Sequence, residues 1–140
     1  MIVLDTNVVS EAMKPQPAAL VRDWLDAQAA ETLFLTSITI AELKFGVGAL
    51  REGKRKERLK IAIDGVIELF ADRILAFDTK AAHRYADIAV LARAAGRGFP
   101  TPDGYIAAIT AAHEFRVASR DSSAFAAAGL SVIDPWKVKR

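Results

Sequence analysis

Ile2-Val3-Leu4-Asp5-Thr6-Asn7 decides how the rest of the chain is read. Three apolar residues, two of them β-branched, run without alternation into a carboxylate and two small polar residues. A short unbroken apolar run of this kind fits a strand buried on both faces, the signature of a parallel α/β sheet. Asp5 then falls at the carboxyl end of the strand, where open α/β sheets bind their ligands. Taken alone, Asp5 fits a second role equally well, as the cap of a helix beginning near Asn7.

The chain has 140 residues, 52% hydrophobic and 26% charged, enough for one domain with a sizeable core and too few for two. A single domain over 1–140 is expected. There is no cysteine, which excludes a disulfide framework, a thiolate nucleophile and a cysteine zinc site. The apolar start meets Asp5 too early for a secretory leader, and no run reaches membrane-spanning length. A cytoplasmic protein is expected. The formal charge is only +2, so affinity for nucleic acid has to come from local clustering.

Strand-like and helix-like segments alternate along the chain. A short helix over Val8 to Met13 ends at Lys14-Pro15-Gln16-Pro17, and a second runs from about Ala18 to Ala30. Thr32 to Thr36 is a strand, followed by a helix to Leu50 with Ser37 or Thr39 as its N-cap. A basic stretch from Arg51 to Lys60 leads into a helix carrying Leu59, Ile63, Val66, Ile67 and Phe70 on one face. Arg73 to Phe77 is a third strand. Asp78-Thr79 starts a helix with Ala82, Tyr85, Ala86 and Ala89 inward. Thr101-Pro102 opens another, to about Glu114, with Thr101 at the N-cap. Val117 to Ser119 and Leu130 to Ile133 complete about five strands. Repeated βα units predict a mainly parallel sheet between two layers of helices, a three-layer α/β/α fold.

Further carboxylates fall in comparable places. Glu42 shares a helix face with Ile38 and Phe45, an unusual position for an acid, although Thr39-Ile40-Ala41-Glu42 also fits a capping box. Asp103 lies in the first turn after Thr101-Pro102, where the helix dipole favours an acid in any case. Asp121 follows another strand's carboxyl end and could equally serve a turn. Several acids at one sheet edge repel one another unless a cation neutralises them. An all-oxygen set without histidine or cysteine suits Mg²⁺ or Mn²⁺, and such an ion can activate water against a phosphodiester. His83 and His113 have no partner spacing that suggests a metal or catalytic pair.

With these segments in order, the chain resembles the PIN-domain proteins, specifically the VapC-like toxins of type II toxin–antitoxin pairs and their FitB-like branch. The resemblance rests on Ile2 to Val8, Ile40-Ala41-Glu42-Leu43, Thr101 to Ala108, Ser119-Arg120-Asp121 and Val132 to Trp136. It implies a PIN-like fold and a metal-dependent endoribonuclease toxin, with Asp5, Glu42, Asp103 and Asp121 as catalytic metal ligands for Mg²⁺ or Mn²⁺. Thr6 and Ser119 would support them by hydrogen bonding. The implied partners are an RNA substrate, a cognate antitoxin and a second copy of the chain in a homodimer or higher assembly.

One departure stands out. Relatives often carry a further acid three residues after the Asp121 position, and here that residue is Ala124. A catalytically weak or inactive module that binds RNA or protein is therefore the alternative function. A haloacid-dehalogenase-type phosphatase would need an aspartate at Asn7, and a receiver domain a lysine after the fifth strand. Lys54, Arg55 and Lys56 form a local excess of positive charge, suited to RNA or antitoxin contact or to a solvated face.

Overall fold

In the computed structural model, which describes residues 1–98 and 101–137, Ile2–Leu4 forms the central strand β1. It is flanked by β2 (Leu33–Thr36) and β3 (Ile74–Leu75) on one side and by β4 (Arg116–Ala118) and β5 (Val132–Ile133) on the other. The order is β3-β2-β1-β4-β5, and every pairing is parallel. The pleat sends alternate residues of β1 to opposite faces. Ile2 and Leu4 pack with Val8, Val21, Leu43 and Ile63. Val3 packs with Ile106, Ala107, Val117 and Phe125. All three β1 residues are buried, which explains why the run is apolar throughout. Each such side chain contributes roughly 1.5–3 kcal/mol by burial.

Helices α1 (Thr6–Ala12), α2 (Ala19–Asp26), α3 (Ser37–Gly48) and α4 (Lys54–Leu69) supply the first face. Helices α5 (Thr79–Ala94), α6 (Thr101–Ala112) and α7 (Ser122–Ala127) supply the second. This is the three-layer α/β/α arrangement expected from the sequence. α6 is buried almost all round, from Ile106 to Ala112, because its alanines let α5, the sheet and α3 approach closely.

Several boundaries and faces differ from expectation. α1 starts at Thr6, with Asp5 as N-cap. α3 is capped by Thr36, whose Oγ1 accepts the Thr39 amide, and not by Ser37 or Thr39. α6 already includes Thr101, so that residue is not its N-cap. In α3 the buried positions are Thr39, Leu43 and Val47, one helical stripe. Phe45 lies on the other side, 77% exposed. In α5 the buried residues are Ala81, Ile88 and Ala92, while Ala82 and Ala86 are exposed; alanines on every side leave the sequence without a marked face. β3 holds two residues rather than five, because it is an edge strand anchored at its start by Arg73. The Arg73 guanidinium donates to the Leu33 carbonyl at 2.7 Å.

The order of strands fixes where a ligand can reach. From β1 the chain moves outward through β2 to β3, then crosses back to β4 on the other side. The carboxyl ends of β1 and β4 therefore flank the point where the winding reverses, the usual crevice of an open α/β sheet.

Candidate active site

Asp5 is held at that crevice from both sides. Its amide donates to the Ala118 carbonyl at 2.9 Å, continuing the β1–β4 pairing. Its Oδ1 accepts the Thr6 amide at 2.8 Å, and its Oδ2 accepts the Ser119 hydroxyl at 2.7 Å. Asp5 is thus the helix cap as well as a member of the acidic site. It is 3% exposed, and burial raises its pKa from 3.8 to about 6. The Ser119 and Thr6 bonds pull the other way, while the charges of Asp103 and Glu42 add to the rise. Each cause acts in the expected direction for a carboxylate.

Glu42 does not close a capping box. The Thr39 amide is taken by Thr36 Oγ1 at 3.1 Å, which frees the Glu42 carboxylate to accept the Thr6 hydroxyl at 2.7 Å. Behind that bond lies a row of hydroxyls. Thr36 Oγ1 donates toward Thr39 Oγ1 at 3.5 Å, and Thr39 Oγ1 lies 3.0 Å from Thr6 Oγ1. With Thr6 donating to Glu42, Thr39 must donate to Thr6, so each hydroxyl in the row points its proton toward the carboxylate. Such chains polarise one another.

Asp103 comes from the first turn of α6 and is half-buried. Its pKa is raised by burial first, then by the charges of Asp121 and Glu42. Asp121 is exposed at the start of α7, and its side chain caps no helix amide. The Asp121 amide instead donates to Ser119 Oγ at 2.9 Å, leaving the carboxylate to the Asp103 side. Asp5 thus feels Asp103 and Glu42, and Asp103 feels Glu42 and Asp121, which links acids from four separate segments through Asp103.

Two residues of this site, Thr36 and Thr39, carried no functional signal in the sequence, and a third, Asn7, lay in its opening stretch without an assigned role. Thr36 and Thr39 are fully buried and form the hydroxyl row. Asn7 Oδ1 accepts the Arg120 amide at 3.3 Å, and its Nδ2 lies 3.4 Å from Ser119 Oγ, tying α1 to the loop after β4. Small hydroxyl residues at a helix start look like caps, and nothing in their spacing reveals what they face.

None of the four acids makes an ion pair with a lysine or arginine among the described residues. Asp5 and Asp103, with pKa values raised by burial and by neighbouring carboxylates, are what a metal ion would stabilise. The donor set, carboxylates backed by hydroxyls, fits Mg²⁺ or Mn²⁺. Among the described residues no three acids converge tightly enough to enclose an ion.

A groove of about 640 Å³ leads away from Thr6 and Glu42 between α1, α3 and α4, with Arg55 and Arg58 among its lining residues. Arg55 alone of the basic trio enters it. Lys56 donates to Glu52 at 2.7 Å and to the Gly48 carbonyl at 3.2 Å. Lys54 borders a separate depression with Glu52 and Glu57, which Arg58 also lines, but Lys54 does not line the groove. His83 and His113 are both exposed. No helix among the described residues is long and apolar enough to cross a membrane.

Comparison with known proteins adds independent findings. The PIN domain family profile matches residues 2–130. A VapC ribonuclease, Y4jK, of Sinorhizobium fredii is 49% identical over 138 residues, spanning 98% of this chain and 99% of its own. Toxin FitB of Neisseria gonorrhoeae is 44% identical over 137 residues, spanning 97% and 99%. Among solved structures, that of FitAB bound to an IR36 DNA fragment superposes with a TM-score of 0.94 at 42% identity, covering 100% of this chain and 99% of that one.

Proposed function

The chain belongs to the PIN-domain family, and from that premise we propose that it is a metal-dependent endoribonuclease, the toxin of a type II toxin–antitoxin pair. The observation that carries the proposal is the gathering of Asp5, Glu42, Asp103 and Asp121 at the sheet's switch point, none of them ion-paired to a side-chain cation among the described residues. Similarity to a VapC ribonuclease and to toxin FitB along almost the whole chain supports it.

Asp5 and Asp103 would be the principal ligands of Mg²⁺ or Mn²⁺, with Glu42 and Asp121 at the flanks. A bound divalent ion supplies an activated water and neutralises charge on a phosphoryl oxygen. The chain's own residues do the positioning. Ser119 and the Thr6 amide fix both oxygens of Asp5 and favour its ionised form. Thr6, backed by Thr39 and Thr36, orients Glu42. The N-terminus of α6 offsets part of the cost of an ionised Asp103.

By analogy with the complex that FitAB forms on DNA, the partners are a cognate antitoxin and a second copy of this toxin, acting in the cytoplasm. The experiment is cleavage of bulk RNA by the purified protein with Mn²⁺, with and without chelator. Chelator-sensitive cleavage leaving 5′-phosphate ends, absent in Asp103→Asn, is the expected result. Absent cleavage would favour the second reading, a binding module on the same fold, and cleavage that survives the chelator would overturn the metal dependence. The second reading draws on Ala124, a partly buried residue of α7 at the place where the family resemblance would lead one to expect an acid.

A further inference from the structure

The groove beside the acids is bounded by two features that differ in character. Much of its lining is aliphatic, Met13, Leu43, Val47 and Leu59 among it, and Arg55 and Arg58 from α4 line it as well. Residues 55 and 58 lie three apart on α4, one above the other on the same face. Both are exposed, and neither makes a hydrogen bond or ion pair among the described residues. Lys14, the groove's other cation, is already bound to Glu11 at 2.9 Å. The groove shares Thr6 and Glu42 with the acidic site. An anionic polymer approaching four carboxylates meets repulsion, and it needs compensating cations along the path it takes.

We propose that this groove is the track of the RNA strand on one side of the scissile bond, with Arg55 and Arg58 each engaging a backbone phosphate. The proposal rests on the ribonuclease reading. Charge complementarity selects the occupant: two unpartnered guanidiniums suit phosphate forks, and the aliphatic lining gives base faces an apolar surface without selecting a sequence. Lys54 and Lys56, equal to the arginines in charge, are outside the track. The binding work on α4 therefore falls to Arg55 and Arg58.

Single-stranded RNA loses affinity with salt by a log–log slope of about 0.7 per phosphate contact. Arg55→Gln with Arg58→Gln should therefore flatten the slope by about 1.4. A step from 50 to 200 mM salt would then cost the wild type about sevenfold more affinity than the double variant. The test uses the full chain and a labelled single-stranded RNA of mixed sequence. Binding is followed by anisotropy with Ca²⁺, and cleavage with Mn²⁺. The expected result is weaker binding, a flatter slope and a raised KM with a much smaller change in kcat. Lys54→Gln with Lys60→Gln, on the same helix but outside this groove, controls for the loss of two charges and should leave the slope nearly unchanged. Unchanged RNA binding in the folded double variant would overturn the proposal. Unchanged RNA binding with lost inhibition by the cognate antitoxin would overturn it too, and would reassign the groove to a protein. Wild type that binds RNA through these arginines yet never cleaves it would support the groove and overturn the nuclease reading alone.

Discussion

The Thr6 hydroxyl donates to the Glu42 carboxylate at 2.7 Å and accepts from Thr39 Oγ1 at 3.0 Å, so the first helix after β1 and the first helix after β2 meet at the acidic site through this pair of bonds. Thr6→Val removes that donor and leaves Thr39 Oγ1 without its acceptor, at a cost of about 1–2 kcal/mol. If Glu42 works only when oriented, metal-dependent cleavage should fall roughly 10- to 100-fold, the range for groups that hold a metal ligand in place. Thr6→Ser keeps the hydroxyl and should recover most of the loss. A Thr6→Val enzyme with full activity and unchanged Mn²⁺ dependence would show that the bond is only structural.

Asp5 ties stability to pH in the metal-free protein. Its pKa is 3.8 ordinarily and about 6 in the fold, so between those values the native state holds more protons than the unfolded state. Stability therefore falls as pH rises from about 4 through 6 and levels off above, with a ceiling of about 3 kcal/mol. Asp5→Asn should flatten that dependence. At pH 7.5 in chelator it should match or exceed the wild type in stability, by about 1–2 kcal/mol after the loss of one hydrogen bond, while losing RNA cleavage. Urea titrations across this pH range check it. An Asp5→Asn protein that unfolds more readily at every pH would mean that capping α1 outweighs the buried charge.

The fold was largely legible because β1 is apolar on both faces and the βα alternation is regular. The same periodicity was silent on which acids meet. Asp5 and Ser119 are 114 residues apart, and only the parallel pairing of β1 with β4 joins them. Glu42 shows the limit most clearly. Thr39-Ile40-Ala41-Glu42 satisfied a local capping pattern, yet Thr36, three residues earlier, competed for the same amide and won. Local rules offer both caps; which one forms depends on where the strand ends. Phe45 misled for a related reason, since one aromatic does not define a helix face when Leu43 and Val47 define another.

Ser119 should govern the protonation of Asp5 without touching substrate. Its hydroxyl is the largest influence lowering the Asp5 pKa, against the rise from burial. Ser119→Ala removes that donor, and the pKa of Asp5 should move above about 6. The acid limb of the pH–rate profile should shift to higher pH, and Mn²⁺ should bind more weakly near neutrality, since the ion competes with a more firmly held proton. Carboxyl NMR titration of the metal-free protein reads the shift directly. No change in the Asp5 titration would mean that water replaces the lost hydroxyl fully.

Asp121 and Asp5 stand at opposite extremes of the same site. Asp5 is buried and bonded through both oxygens, whereas the Asp121 side chain is exposed and caps no helix amide. Removing the Asp121 carboxylate costs no capping bond, and it relieves repulsion on Asp103. Asp121→Ala should therefore change metal-free stability by less than about 0.5 kcal/mol. Its effect on metal is the opposite, because one oxygen donor of the site is gone. With Ala124 in place of a further acid, few oxygens remain on that side to hold a second ion. The RNA-free protein should bind at most one Mn²⁺ tightly, and any second ion should arrive with substrate phosphate as a ligand. Calorimetry of Mn²⁺ binding, alone and with a non-cleavable RNA, distinguishes the cases. Asp121→Ala should weaken Mn²⁺ and slow cleavage less than Asp5→Asn does. Two tight sites without RNA, or an Asp121→Ala protein as inactive as Asp5→Asn, would make Asp121 a principal ligand.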